Sequence, residues 1–223
     1  MYFSKIVLRK DVPAENLAQL LRGDGYHFHQ QLWRLFESKN KNRRDFIYRE
    51  QSLGKWPCFY TISQRQPEDR TGFWEIQVKD FAPKLVVGQQ LAFSLRANPV
   101  RSKDKFDEKG QRRSVRHDVV MDAKWGYDKT KRPPLAELMQ QAGWEWLQAR
   151  MVKQGFQVQP EQLRVDGYQQ HRFFKKGQTI RLSTLDFDGL LTVIQVDDFL
   201  NMLSNGIGYA KGFGCGMMLV RKV

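Results

Sequence analysis

The segment LAFSLRA (91–97) alternates Leu91, Phe93, Leu95 and Ala97 with polar or charged neighbours, the period-two pattern of a strand that buries one face. Runs of β-branched and aromatic residues at YFSKIVL (2–8), RDFIYRE (44–50), CFYTIS (58–63) and WEIQVKDF (74–81) also read as strands. Together they predict a half-exposed antiparallel sheet. After a loop that follows the first strand, HQQLWRLFESK (29–39) places Leu32, Trp33 and Phe36 on one face of a helix, with His29 one turn earlier.

From Arg96 to Arg116 the periodicity lapses, and the chain carries eight basic and three acidic residues. This stretch predicts a flexible basic loop between two halves. Pro133 and Pro134 then open the clearest helix, LAELMQQAGWEWLQARMVKQG (135–155), with a stripe of Leu135, Leu138, Met139, Ala142 and Trp146 and a stop at Gly155. EQLRVDGYQQHRFFKK (161–176), QTIRLSTLDF (178–187) and GLLTVIQV (189–196) read as three strands, DDFLNMLSN (197–205) as a short helix and MMLVRKV (217–223) as a last strand.

The order is strand, helix, strand, strand at the start and helix, strand, strand, helix, strand at the end. Each half resembles a ferredoxin-like βαββαβ unit, the layout of RNA-recognition modules. In the first unit residues 64–90 read as strand and loop where a second helix belongs. The expected fold is therefore α+β, with two tandem ferredoxin-like (RRM-like) domains built on antiparallel sheets. Residues 1–98 and 133–223 would form the domains and 99–132 the basic linker.

Charge narrows the function. Among 223 residues, 37 Lys and Arg against 24 Asp and Glu leave a net charge of +13, which favours a polyanionic partner, most often nucleic acid. No apolar run approaches the ~18 residues of a membrane span, so no membrane partner is expected. The opening MYFSKIVLRK lacks the apolar core of a signal peptide, and Cys58 and Cys215 lie far apart in sequence. Free thiols in a reducing cytoplasm are the expectation.

The run GIGYAKGFGCG (206–216) places Gly206, Gly208, Gly212, Gly214 and Gly216 around Lys211. It matches neither the dinucleotide fingerprint nor the P-loop, and it follows a helix and precedes a strand, the reverse of those motifs. No nucleotide cofactor is expected. Two uses remain: a tight structural connection, or a cradle for an anion with Lys211 on a phosphate. Arg96, Arg101, Lys103, Lys105, Arg112, Arg113 and Arg116 could follow a nucleic-acid backbone or form a solvated basic surface.

His27 and His29 would share a face only on a strand, and no carboxylate completes a site beside them, so no metal is expected. As a general acid or base, His29 would use an imidazole that titrates near neutrality, placed at a helix N-terminus whose free N–H groups attract phosphate. Tyr26, three residues before it, could orient the substrate or share the proton transfer. The spacing equally allows a half-buried histidine and a packing tyrosine.

The loop pattern G-h-G-x-x-x-x-x-G-h-G, with Ile207 and Cys215 at its apolar positions, resembles that of the repeat-associated CRISPR proteins. Together with the start MYFSK, the segment YHFHQQLW and the phrase LRANP (95–99), it resembles the CasE (Cse3) family from the first residue to the last strand. These are repeat-processing endoribonucleases of the type I-E Cascade complex. The resemblance implies two ferredoxin-like domains that bind the hairpin of the CRISPR repeat RNA, cut the precursor at its 3′ base without metal, and keep the product crRNA beside other Cascade subunits. It also implies that His29 is catalytic and Tyr26 assists it. Arg34 stands where some members carry a lysine, which keeps the charge and changes its geometry. His27 belongs to no family pattern. A non-catalytic RNA-binding subunit of such a complex is the rival reading.

Overall fold

The computed structural model describes residues 1–21, 25–36, 45–51, 56–108, 110–175 and 178–223, with the side chains of 18–21, 25–29, 174 and 175 left aside. The N-terminal unit runs β1 (Tyr2–Leu8), α1 (Ala14–Leu21), α2 (Gly25–Leu35), β2 (Phe46–Glu50), β3 (Cys58–Ser63) and β4 (Trp74–Asp80). It is followed by β5 (Gln90–Ala97), β6 (Val100–Phe106), β7 (Arg112–Asp118), α3 (Val119–Trp125), α4 (Leu135–Met151), β8 (Phe156–Gln157), β9 (Leu163–Lys175), β10 (Gln178–Val193), α5 (Val196–Asn205) and β11 (Met218–Lys222).

The two halves repeat one topology. The first sheet has the order β2-β3-β1-β4, and the second β11-β5-β10 with β9 also on β10. In each unit the first strand therefore lies between the third and fourth, as ferredoxin-like units require. Residues 64–73 of the first unit form no helix, as the sequence suggested.

Strand pairing moves the division between the units. β5, which the sequence reading grouped with residues 1–98, pairs antiparallel with β10 and β11 and is the first strand of the second unit. Its alternation announced a strand with one buried face, but which sheet it joins depends on partners about ninety residues or more away. The span 99–132 is likewise not a loop. β6 and β7 form an antiparallel ribbon from Val100↔Asp118 to Phe106↔Arg112, and α3 follows, capped by Asp118, which accepts from the N–H groups of Val120 and Met121. Both faces of the ribbon are largely exposed, so no apolar alternation marks it.

Other boundaries shift for local reasons. The stretch 14–21, read as loop, is α1, a helix of eight residues and too short to show a sustained period. α2 begins at Gly25, so His29 sits one turn inside it and not at its N-terminus. β10 continues through Asp188 and Gly189, where the sequence suggested a break. Gly189 marks a close approach: a Cβ there would lie 2.2 Å from the carbonyl oxygen of Gln162.

Each sheet has one face under helices. Leu32, Leu35 and Phe36 at the end of α2 pack on Ile6, Leu8, Phe46, Tyr48, Phe59 and Trp74. In the second unit, Trp146 and Leu147 of α4 and Phe199, Met202 and Leu203 of α5 cover Phe93, Leu95, Leu185 and Phe187. The other face of the first sheet offers Phe3, Ile47, Tyr60 and Ile62 to Met217 and Leu219, joining the units sheet to sheet. No described helix is long and apolar enough to cross a membrane.

Gly189→Ala should lower stability by about 1–3 kcal/mol, the usual effect of forcing an extra carbon into a packed site. Urea or thermal unfolding measures it, and an unchanged midpoint would show that the 160–162 turn yields freely.

Candidate nucleic-acid interface

Residues 206–216 leave α5 and return into β11, and they are fastened at both ends. The Gly206 N–H donates to Met202 O at 2.7 Å, Ile207 N–H to Gly216 O at 2.8 Å, and Gly216 N–H to Arg96 O at 2.7 Å. Ile207 and Cys215, the two apolar positions of the motif, are buried. Burial pushes the Cys215 thiol up to about 12, so it packs as a neutral group.

The middle of the loop is wedged between the two units. Gly208, at φ +78°, leaves room for a Cβ only 3.0 Å from the Trp146 indole of α4. Gly214, at φ +77°, faces Tyr48 of β2, with 3.1 Å to the nearest ring atom. The Tyr48 hydroxyl also donates to Gly212 O at 3.2 Å. Both positions combine a left-handed backbone with an aromatic wall, so a side chain would be strained there and would press on the ring.

Lys211 opens a short 3₁₀ turn (Lys211–Phe213) that packs against α2 and β2. The helix carrying positions 26 and 29 is thus set beside the glycine loop, although the side chains of Tyr26 and His29 lie outside the described residues. Arg34 is exposed in the last turn of α2.

The β6–β7 ribbon adjoins the same loop. The Arg116 guanidinium lies 4.1 Å from the Tyr209 ring centroid, and Tyr209 bridges to Asn98 beside the ribbon's base. Directly paired residues share a face, so Arg116 and Arg112 project on one side of the ribbon, and Arg101, Lys103, Lys105 and Arg113 on the other.

Most of these cations already have partners. Arg101 pairs with Glu145 at 3.2 Å, Lys103 with Asp122 at 2.5 Å, Arg112 with Asp104 at 2.8 Å and Arg113 with Asp107 at 3.5 Å. Exposed pairs of this kind are worth only about 0–1 kcal/mol, so a phosphate can replace the carboxylate at little cost. Lys105 is exposed. Arg96 differs: it forms a two-pronged pair with Asp186, both distances 2.8 Å, and that hydrogen bonding raises its pKa. It is a structural strut between β5 and β10 before it is a ligand contact. Sequence reading missed Tyr48, Trp146 and Tyr209, which shape the loop but look like ordinary core or surface aromatics in the linear chain. Among the described residues, no three of His, Cys, Asp and Glu converge as a metal-binding group.

A family model described as CRISPR associated protein matches residues 1–222. The chain belongs to this CRISPR-associated protein family. It is 28% identical over 220 residues to the CRISPR system Cascade subunit CasE of Escherichia coli strain K12, covering 98% of each chain. Among solved structures it is similar to Cas6e from Escherichia coli K-12, with a TM-score of 0.67 and 23% identity over 100% of both chains. It is also similar to Thermus thermophilus Cse3 bound to an RNA representing a pre-cleavage complex, with a TM-score of 0.66 and 20% identity over 99% of this chain and 98% of that one. Both likenesses establish the pair of ferredoxin-like domains as the family's fold here.

Gly208→Val and Gly214→Val should each destabilise the protein by about 1–3 kcal/mol through backbone strain alone, with the ring contact adding to it. Lys211→Ala should leave the unfolding midpoint unchanged. Unfolding curves of the three variants compare them directly, and normal stability in both valine variants would refute the wedge.

Proposed function

We propose that this protein is a metal-independent endoribonuclease that binds the CRISPR repeat hairpin and cuts precursor crRNA at the hairpin's 3′ base. The observation that carries the reading is the placement of α2, bearing positions 26 and 29, against the Lys211 turn of the loop whose Tyr209 meets Arg116 of the basic ribbon. The relative named as a Cascade subunit and the fold shared with an RNA-bound Cse3 support it.

In this reading the RNA supplies its own nucleophile. The 2′-OH attacks the adjacent phosphorus, a P–O bond forms as the bond to the 5′-oxygen breaks, and the products are a 2′,3′-cyclic phosphate and a 5′-OH. His29 moves the proton, Tyr26 assists, and Lys211 or Arg34 balances the charge that gathers on the phosphoryl oxygens. At position 29, inside the helix and beyond its free N–H groups, the imidazole relies on proton transfer and not on the helix terminus. Arg112 and Arg116, on the loop-facing side of the ribbon, and the other ribbon cations hold the hairpin backbone. Since the bound hairpin is also part of the product, release is slow and the protein remains with crRNA among other Cascade subunits.

His29→Ala should lower the cleavage rate by about 10²–10⁴ or more while hairpin affinity stays within a few fold, and Tyr26→Phe should cost less. Wild-type cleavage should survive EDTA, and a hairpin with 2′-deoxyribose at the scissile nucleotide should bind uncut. Cutting of that deoxy hairpin, or full activity in His29→Ala, would replace this mechanism with attack by water.

Neutralising Arg112, Arg113 and Arg116 together should also flatten the dependence of log affinity on log salt by about 2–3. An unchanged slope in a filter-binding titration would remove the ribbon from the RNA surface.

A further inference from the structure

Arg49 is a buried cation with unused donors. It lies on β2, is only 8% exposed, and its Nη2 donates to Ser94 Oγ at 2.9 Å. Its Nε and Nη1 have no hydrogen-bond partner among the described residues. The nearby carboxylate of Asp186 is already held on both oxygens by Arg96, which is itself a like charge acting on Arg49. Burial lowers the Arg49 pKa, yet an arginine side chain stays protonated at neutral pH. The carboxylates of Asp186 and Asp188 attract Arg49 through space, and a desolvated guanidinium with open N–H groups is unfavourable unless a ligand completes it.

Arg49 borders a cleft of about 570 Å³ between the two units, lined also by Arg96, Gln169, His171, Thr184 and Phe213, among others. The volume falls in the range of sites that enclose small ligands and is too small for a duplex. One wall is an aromatic ladder: His171 stacks on Phe173 at 5.9 Å and 3°, and Phe173 on Phe213 at 5.0 Å and 22°. The His171 ring shares a 3.0 Å hydrogen bond with Thr184. Cations, polar side chains and ring faces together suit a nucleotide of a single strand. Among the described residues Glu50 is the one acidic side chain that lines the cleft, and burial raises its pKa.

Position gives the route. Tyr48 points to the α2 side of the first sheet, while Arg49, its neighbour on β2, points to the opposite side, toward the second sheet. β2 is the edge strand of its sheet, and Phe213 and Gly214 of the glycine loop line the cleft. A strand leaving the α2 site thus reaches the cleft by rounding the β2 edge past the loop.

We propose that this cleft is a second RNA subsite, in which Arg49 donates to a backbone phosphate of the unpaired nucleotides flanking the repeat hairpin. The proposal rests on the endoribonuclease reading for the presence of RNA, and it adds a site away from the cut.

The test uses full-length protein and three repeat hairpins made uncleavable by 2′-deoxyribose at the scissile nucleotide: bare, with a 5′ single-stranded extension, and with a 3′ extension. Arg49→Met should bind one extended hairpin about tenfold or more weakly and the bare hairpin normally. The free variant should melt no lower than wild type, because an unpaired buried charge has been replaced by an apolar chain of similar length. Arg49→Lys, which keeps the charge, should lose less on the same RNA.

Equal loss on all three RNAs, or no loss on any, overturns the subsite, as does a lower melting point in free Arg49→Met. Unchanged RNA affinity with impaired association with other Cascade subunits would overturn it in favour of an acidic protein segment in the cleft. Failure of wild-type protein to bind even the bare hairpin would instead sink the endoribonuclease reading, and this proposal with it.

Discussion

The close approach of residues 206–216 to Trp146 on one side and Tyr48 on the other is the constraint from which the remaining geometry follows. Cβ atoms at positions 208 and 214 would lie 3.0 and 3.1 Å from those rings, so side chains there would press on them as well as strain the backbone. Held there, the loop puts the Lys211 turn against α2, Tyr209 under Arg116 and Met217 into the apolar joint with Ile47 and Ile62. Three elements from distant parts of the chain, the α2 helix, the loop and the β6–β7 ribbon, thereby share one side of the molecule without packing on one another extensively. The run of bare backbone is thus explained first by steric fit between two units, and only then by what the surface binds.

The charges obey a second division. Those on the ribbon are exposed and paired with carboxylates that water or phosphate can replace, so they offer affinity without demanding a ligand for stability. Between the sheets the balance differs. Arg96 and Asp186 satisfy each other across β5 and β10, whereas Arg49 has one contact and two idle nitrogens. A surface can carry excess positive charge cheaply because solvent screens it, but an interior cannot. The net charge of +13 is therefore mostly a property of the outside, and the cleft is the place where an unmatched cation has structural meaning.

Much of the fold was legible because most elements bury one face. The apolar alternation of LAFSLRA and the stripe Leu138, Ala142 and Trp146 mark real elements, while α4 ends at Met151 and Gly155, at a left-handed φ of +77°, closes the 3₁₀ turn (152–154) that follows it. What escaped was of three kinds. The ribbon buries neither face, so it carries no period. Gly189 looks like punctuation, but its missing side chain answers a carbonyl brought there by another segment. The sheet that β5 joins, and the setting of Arg49, are decided by contacts across about forty-five residues or more. In sequence Arg49 is merely the polar alternate of a strand. The roles proposed for His29 and Tyr26 rest on family resemblance, since their spacing fits a buried helix as well as a proton relay.

β6, β7 and α3 are inserted between β5 and α4, at the point where the repeated fold can diverge. In a ferredoxin-like unit the first strand leads directly to the first helix, and in the second unit that connection has grown into the basic ribbon. In the first unit the corresponding connection holds α1, and the helix that follows carries positions 26 and 29. In the proposed function the second unit supplies an arm for grip and the first a helix for chemistry, each grown from the same topological point. Because the two are joined mainly through the glycine loop and the Ile47–Ile62–Met217 joint, grip and chemistry are coupled by packing, not by shared residues. Such an arrangement allows tight binding of a hairpin to persist after the bond beside it is cut, since cutting alters nothing that the arm holds.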